Sequence, residues 1–279
     1  HDYVLFFTNA GRVHRRKGYL ISEAGRTAKG TAIVNILPLE PGEEVTAMVL
    51  TREFTEGEYI FMATRKGTVK RIALDALNTS RKAGARALVL DEGDDLISVL
   101  KTSGNDNIIL TTEQGMAICF NENDVRPMGR TAAGVRGITL MDGDQVVGAE
   151  KAQAGKCLLT VTENGYGKRT QVEEYLRLAE DGSRQPQNRG GKGLKNYNLT
   201  EKTGKVAGCC LVSDSDDVML IENGGVIIRF AAKDVNIYKR GAQGVIIMRL
   251  EEGNRVIAVS SVTGEDSGEP ESQETEPQT

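Results

Sequence analysis

The sequence predicts an all-β fold, a propeller-like array of about five four-stranded blades. Two observations carry that expectation: three short markers recur in the same order five times, and runs rich in Val, Ile and Thr lie between them. The first marker is a Gly followed by a strand: Gly11 (GRVHRR), Gly67 (GTVKRI), Gly115 (GMAICF), Gly165 (GYGKRT) and Gly224 (GGVIIRF). The second is Arg-x-x-x-Gly, from Arg26 to Gly30, Arg130 to Gly134, Arg189 to Gly193 and Arg240 to Gly244, with Arg81 to Gly84 one residue shorter. The third is a turn at Pro41-Gly42-Glu43, Glu92-Gly93-Asp94, Asp142-Gly143-Asp144, Thr203-Gly204-Lys205 and Glu252-Gly253-Asn254. A four-stranded unit of about 50 residues leaves an apolar face wet on its own, so successive blades must pack face to face.

Along the chain the units run approximately 1–42, 43–93, 94–143, 144–204 and 205–262, followed by a tail over 263–279. In the third unit strands are expected at Leu96–Thr102, Asn107–Thr112, Met116–Phe120 and Val135–Leu140. In the fifth they are expected at Val206–Val212, Val218–Ile221, Val226–Phe230 and Val245–Leu250. Helical periodicity is confined to Val172–Ala179, enough for a turn or two. The chain opens in what is the second strand of a unit and ends at Val256–Val262, which is the first. Two arrangements follow: the terminal strand completes the opening blade and closes five units, or a blade precedes the chain. From the abrupt opening we expect a fragment whose natural N-terminus lies upstream.

With 35 basic and 39 acidic residues, the formal net charge of −4 argues at face value against a nucleic-acid partner. The distribution of charge reverses this. The tail holds six acids (Glu265, Asp266, Glu269, Glu271, Glu274 and Glu276), no basic residue and no large apolar side chain, and is expected to be disordered. Without them the body carries 35 basic against 33 acidic residues, a net of +2. No stretch approaches the ~18 apolar residues of a membrane span, no signal peptide precedes the first strand, and a cytoplasmic protein fits best. Cys119, Cys157, Cys209 and Cys210 have no CxxC spacing, and the only histidines are His1 and His14. That excludes a zinc site of familiar spacing, and the thiols read as reduced and buried in strands. No P-loop, Gly-x-Ser-x-Gly or triad constellation is present, and Asp94-Asp95 and Asp216-Asp217 read as turn acids, so no active site is expected.

The arginine of the second marker falls at one point of every unit, which in a radial array lines one rim. Arg26, Arg81, Arg130, Arg189 and Arg240 form that line, joined by Lys29, Lys82, Arg86, Arg136, Lys192, Lys195 and Lys239. A curved, periodic row of cations matches a bent polyanion held through its phosphates. The alternative is solvated surface charge or inter-blade ion pairs. A second set sits on the strand after the first Gly: Arg12, Arg15, Arg16, Lys17, Lys70, Arg71, Lys168, Arg169 and Arg229. Alternation along an outer strand lets about half of these reach the same ligand. Scattered aromatics disfavour stacking of single strands, and no recognition helix is available. The expected ligand is double-stranded DNA, bound independently of sequence and bent.

Over residues 1–262 the chain resembles the C-terminal domain of the DNA gyrase A subunit. The resemblance rests on residues 24–35 (AGRTAKGTAIVN), 60–64 (IFMAT), 67–71 (GTVKR), 134–138 (GVRGI), 162–170 (TENGYGKRT) and 244–247 (GVII), all in order. It implies a β-pinwheel, six-bladed in the family, whose charged perimeter wraps DNA and presents it to the cleavage core of an ATP-dependent type II topoisomerase that introduces negative supercoils. It further implies a bacterial, nucleoid-associated protein. Its partners would be the remainder of the gyrase A protein, which is dimeric, and the gyrase B protein in an A2B2 complex. No cofactor is expected on this region, since ATP and Mg2+ act elsewhere in the holoenzyme. The family's box, Gln-Arg-Arg-Gly-Gly-Lys-Gly, is matched at six of seven positions by residues 187–193, with Asn188 for the first Arg. The family carries it in the first blade, whereas here it lies in the fourth unit, so it reads as a blade-level copy, with the true box expected upstream. DNA contact is carried over to the rim cations, to Arg189 and Lys192 above all. The related domain of topoisomerase IV, which guides DNA without tight wrapping, and a propeller serving as a protein-interaction scaffold are the alternatives.

Overall fold

The computed structural model describes residues 2–21 and 28–263, so Arg26 and the acidic tail lie outside the described residues. Five hairpins organise the chain: Tyr3–Thr8 with Arg12–Lys17, Tyr59–Thr64 with Thr68–Ala73, Asn107–Thr112 with Met116–Asn121, Cys157–Thr162 with Tyr166–Gln171, and Asp217–Glu222 with Ile227–Ala231. In the second, third and fourth hairpins both faces of each strand are largely buried, which is why these runs read as continuously apolar instead of alternating. Threonines close the hairpin turns: Thr64 and Thr162 Oγ1 accept from the amides of Thr68 and Tyr166 at 3.1 and 3.2 Å.

A seven-residue inner strand pairs with the first strand of each hairpin: Val45–Thr51, Leu96–Thr102, Val146–Ala152, Val206–Val212 and Val256–Val262. Each of these pairings carries a register shift near one end, a recurrent bulge. A two-residue outer strand then covers the second hairpin strand, and it comes from the following unit. Ala85–Arg86 lies on the first blade, Val135–Arg136 on the second, Leu194–Lys195 on the third and Val245–Ile246 on the fourth. Four blades are therefore four-stranded, and the fifth has three strands among the described residues.

The blades do not coincide with the repeat units. Leu96–Thr102, expected beside Asn107–Thr112, pairs with Tyr59–Thr64 in the preceding blade, and Val135–Arg136 joins the same sheet. Val256–Val262 pairs with Asp217–Glu222, so it does not complete the opening blade. A repeat fixes a period but not a phase, and hydrogen-bond partners set where one sheet ends. Val172–Tyr175 is a single 3-10 turn that gives way to a strand, in place of a helix to Ala179.

Core residues fill the seams between neighbouring blades. Leu5, Phe7 and Val49 meet Ile60, Met62 and Leu96 at the first seam, and Phe61 and Ala63 meet Ile108, Leu110 and Ala149 at the second. Ile109 and Cys119 meet Leu158, Tyr175 and Cys209 at the third, and Leu159 and Cys210 meet Val218, Leu220 and Val256 at the fourth. Each fully buried side chain of this size contributes about 1.5–3 kcal/mol. All four cysteines are buried and unpaired, as expected, and burial pushes the Cys119 and Cys209 thiols up to about 12. No described helix is long and apolar enough to cross a membrane.

Candidate nucleic-acid interface

The rim is built from the Arg-x-x-x-Gly segments and the outer strands they lead into. Backbone approach decides why glycine is needed. Gly193 has φ +76°, and a Cβ there would stand 2.3 Å from the carbonyl oxygen of Ala117. Two amides of the following stretch then bond one hairpin carbonyl in three of the four cases, Ala87 and Leu88 to Gly11 O at 2.8 and 3.1 Å, Asn196 and Tyr197 to Gly115 O at 2.7 and 3.1 Å, and Ile247 and Met248 to Gly165 O at 2.8 and 3.1 Å, while Gly137 alone bonds Gly67 O at 2.8 Å. With the backbone turned inward, the long side chains project outward. Lys29, Arg81, Lys82, Arg86, Arg136, Lys192, Lys195 and Lys239 are exposed, and Arg16, Arg130, Arg189 and Arg240 are half-buried.

The half-buried arginines link one rim segment to the next. Arg189 donates from Nη1 to Arg136 O at 2.5 Å and from Nε to Asp124 O at 3.1 Å. Arg240 Nη1 donates to Lys195 O at 2.9 Å, and Arg16 Nη2 to Lys82 O at 3.4 Å. Exposed cations Arg136, Lys195 and Lys82 are thus each tied by their backbone to another cation. Among the described residues, Lys239 is the one rim cation in an ion pair, with Glu174 at 2.8 Å. Cations off the rim find carboxylates: Arg65 with Asp95 at 2.8 Å, Lys101 with Glu58 at 3.1 Å and Arg229 with Asp217 at 2.7 Å. Inter-blade ion pairing does not account for the rim.

Four residues of the second set are corrected. Lys70 and Lys168 are fully buried, and Arg71 and Arg169 are 5% exposed, so none presents its charge to a ligand at the surface. Their hairpin strands are covered by the outer strands and are not edges. Lys70 Nζ donates to Ala87 O, Arg130 O and Ala132 O at 2.7, 3.1 and 3.0 Å, and Lys168 Nζ to Lys239 O at 2.8 Å and to Arg240 O. These ammonium groups hold the rim segments from beneath. Burial lowers Lys70 to about 8 and, with the nearby Arg240 charge as a second cause, Lys168 to about 7. Arg71 bonds Val125 O at 2.7 Å and lies 3.6 Å from Glu122, while Arg169 bonds Val235 O at 2.5 Å and pairs with Asp214. In the first blade His14 takes the lysine's place, its buried ring held below its usual range by burial and then by Arg12. Of the others, Arg12 pairs with Glu40 and Glu43 at 3.3 and 3.0 Å, Arg15 lies 4.9 Å over the Tyr3 ring, and Lys17 is exposed.

Sequence reasoning missed Arg177 and Arg184, both exposed on an extra two-stranded ribbon in the fourth unit. The available signal was the 59-residue spacing from Gly165 to Gly224, the longest of the series.

A family model described as DNA gyrase C-terminal domain, beta-propeller, matches residues 2–52, 58–103, 106–153, 158–178, 185–210 and 216–263. The chain belongs to this family. The DNA gyrase A subunit of Clostridium acetobutylicum is 44% identical over 274 residues, 98% of this chain and 32% of that protein. The DNA gyrase A subunit of Escherichia coli is 40% identical over 262 residues, 94% of this chain and 29% of that protein. The chain thus spans about a third of these gyrase proteins. Among solved structures, the C-terminal domain of DNA topoisomerase IV superposes with a TM-score of 0.85 at 26% identity, covering 95% of this chain and 80% of that one. The DNA gyrase A C-terminal domain superposes with a TM-score of 0.78 at 26% identity, covering 94% and 82%. These gyrase relatives fit the pinwheel expectation, with five blades in the described residues.

Proposed function

We propose that this gyrase-family domain binds duplex DNA independently of sequence, bends it around the rim and presents it to the cleavage core of a type II topoisomerase that introduces negative supercoils. In that reading the remainder of the gyrase A protein and the gyrase B protein supply the catalytic residues, ATP and Mg2+, in an A2B2 assembly, and this chain contributes the wrapping surface. The observation that carries the reading is the row of rim cations recurring blade by blade, of which, among the described residues, Lys239 alone has a carboxylate partner. Uncompensated cations at the blade repeat meet successive phosphates and release their counterions. A rim making 6 to 10 phosphate contacts loses about 10³- to 10⁵-fold in affinity between 50 and 200 mM salt. Titration of a random-sequence duplex across that range is the test, and salt-insensitive binding sinks the proposal.

The closer superposition on the topoisomerase IV domain favours a second reading, guidance of DNA segments without tight wrapping. Relaxing closed circular DNA in the presence of the domain separates the two: wrapping leaves retained writhe, guidance leaves none.

A further inference from the structure

Four inner strands carry a side chain at the same register point, opposite the third residue of their hairpin. Val49 stands opposite Leu5, Leu100 opposite Phe61, Glu150 opposite Ile109 and Cys210 opposite Leu159. Val49, Leu100 and Cys210 pack into the first, second and fourth seams among apolar neighbours. Glu150 is the carboxyl of the series, and it meets the third seam, where the Leu211 backbone of the fourth blade donates to it. One seam of four therefore has an ionisable group where the others have an apolar one.

Directional polar contacts hold the rest of this seam. Thr111 Oγ1 lies 3.0 Å from Cys209 Sγ, Tyr175 OH donates to Asn196 Oδ1 at 2.6 Å, and Asn196 Nδ2 donates to Thr160 Oγ1 at 3.3 Å, all of them buried. The inner strands come close here, since a Cβ on Gly148 would stand 2.9 Å from Cys209 Sγ. On the outer side, Leu194–Lys195 of the fourth unit is paired to the third blade. The charges around Glu150 do little to stabilise its ionised form. Lys151, the next residue on its own strand, acts weakly against burial. Cys209 and Cys210 on the facing strand are thiols that burial keeps protonated, and Lys101 on the second blade's inner strand is taken by Glu58 at 3.1 Å. An ionised Glu150 therefore needs water in the seam.

We propose that the third seam is a proton-controlled hinge: protonated Glu150 keeps the third and fourth blades packed, and ionised Glu150 lets their inner strands part and admit water, with Leu194–Lys195 as the pivot. The hinge divides the array into a body of three blades and a body of two, and it stands independently of what the rim binds. Burial holds the carboxyl at about 7 in the packed seam, whereas a hydrated seam returns it to the ordinary carboxylate range. The packed form thus binds the proton more tightly. Opening is least favoured below the ordinary range, grows as pH rises from there to about 7 and then levels off. Lys195 and Lys239 belong to rim segments on the two sides of the seam, so opening changes the spacing of the rim at this point.

The cysteines supply the test. Cys209 packs in the third seam and its neighbour Cys210 in the fourth, on opposite faces of one strand. Pulse alkylation with iodoacetamide at about pH 5 and about pH 8, resolved by fragmentation mass spectrometry, compares the two thiols in the full chain, in Glu150→Gln and in Glu150→Leu. The ratio of Cys209 to Cys210 labelling cancels the pH dependence of the reagent, and unfolding of the whole chain exposes both thiols alike. The hinge requires that ratio to rise at least about tenfold in the parent and to stay flat in the variants. Leucine restores the apolar residue of the other seams, so the comparison survives if the glutamine variant folds poorly. A flat ratio in the parent, or an equal rise in parent and variants, overturns the hinge.

Discussion

Lys168 and Lys192 are the same residue type in the same unit, and they have opposite fates. Lys192 is exposed beyond a glycine-rich segment, whereas Lys168 is buried beneath one with its ammonium on two carbonyls. Replacing Lys168 with Met keeps the apolar stem and strands those acceptors, a loss of about 1–3 kcal/mol for each buried group left unsatisfied. Lys168→Met is expected to unfold at lower denaturant concentration and to exchange its amide hydrogens faster around residues 239–244. An unaltered midpoint with unaltered exchange contradicts the role. The sequence showed cations phased with the repeat, and the phase alone did not separate those that bind from those that brace. What separates them is whether a strand from the next unit covers the residue, a contact about 70 residues away for Lys168.

The hairpin and the outer strand laid over it are the elements on which blade exchange depends. Gly165 sits at the hairpin turn with φ +82°, and a Cβ there would stand 2.1 Å from Met248 O. Gly165→Ala therefore combines a left-handed alanine with backbone displacement at the crossover, and a destabilisation of about 1–3 kcal/mol is expected by urea unfolding. A change below about 0.5 kcal/mol refutes the need for close approach. Hairpins, glycine turns and inner strands were legible because local sequence specifies them. The fifth turn shows the precision of that reading: the left-handed residue is Gly225, with φ +93°, one position beyond the marker at Gly224. Two outer strands were legible in place but not in length or partner: the runs expected at Val135–Leu140 and Val245–Leu250 form strands only at Val135–Arg136 and Val245–Ile246, because a neighbouring blade pairs with just two residues of each. The ribbon at Arg177–Gln185 was hidden for a related reason, since its leading strand continues a helix-like pattern from Val172.

At the scale of the whole array, stability resides in the seams. Glu150 lies on the inner strand of the third blade and accepts a hydrogen bond from the backbone of Leu211 on the fourth, close to Cys209 and Cys210. Burial raises its carboxyl to about 7, against which the Leu211 bond and Lys151 act weakly. A carboxyl raised in the folded state binds its proton more tightly there than in the unfolded chain. Its contribution is complete below the ordinary carboxylate range and is lost as pH rises through about 7. Glu150→Gln is expected to be more stable than the parent at pH 8, by on the order of 2 kcal/mol, and nearly equal at pH 4.5. Parallel stability curves for the two proteins across that range disprove the assignment.

Residues close together in the chain suffice for the all-β class, the five-fold period, the buried thiols and the phasing of cations with the repeat. Tertiary structure alone decided how strands are shared between blades and which cations face solvent. It also left the two ends unlike the middle: Met48 and Leu50 are 66% and 68% exposed on the first inner strand, and Ile227 is 55% exposed on the last hairpin. At the place Met48 holds in the first inner strand, Val99, Ala149 and Cys209 pack into the seams of later blades. Identical local patterns are buried or bare according to whether another blade covers them, and a repeat carries no record of its neighbours.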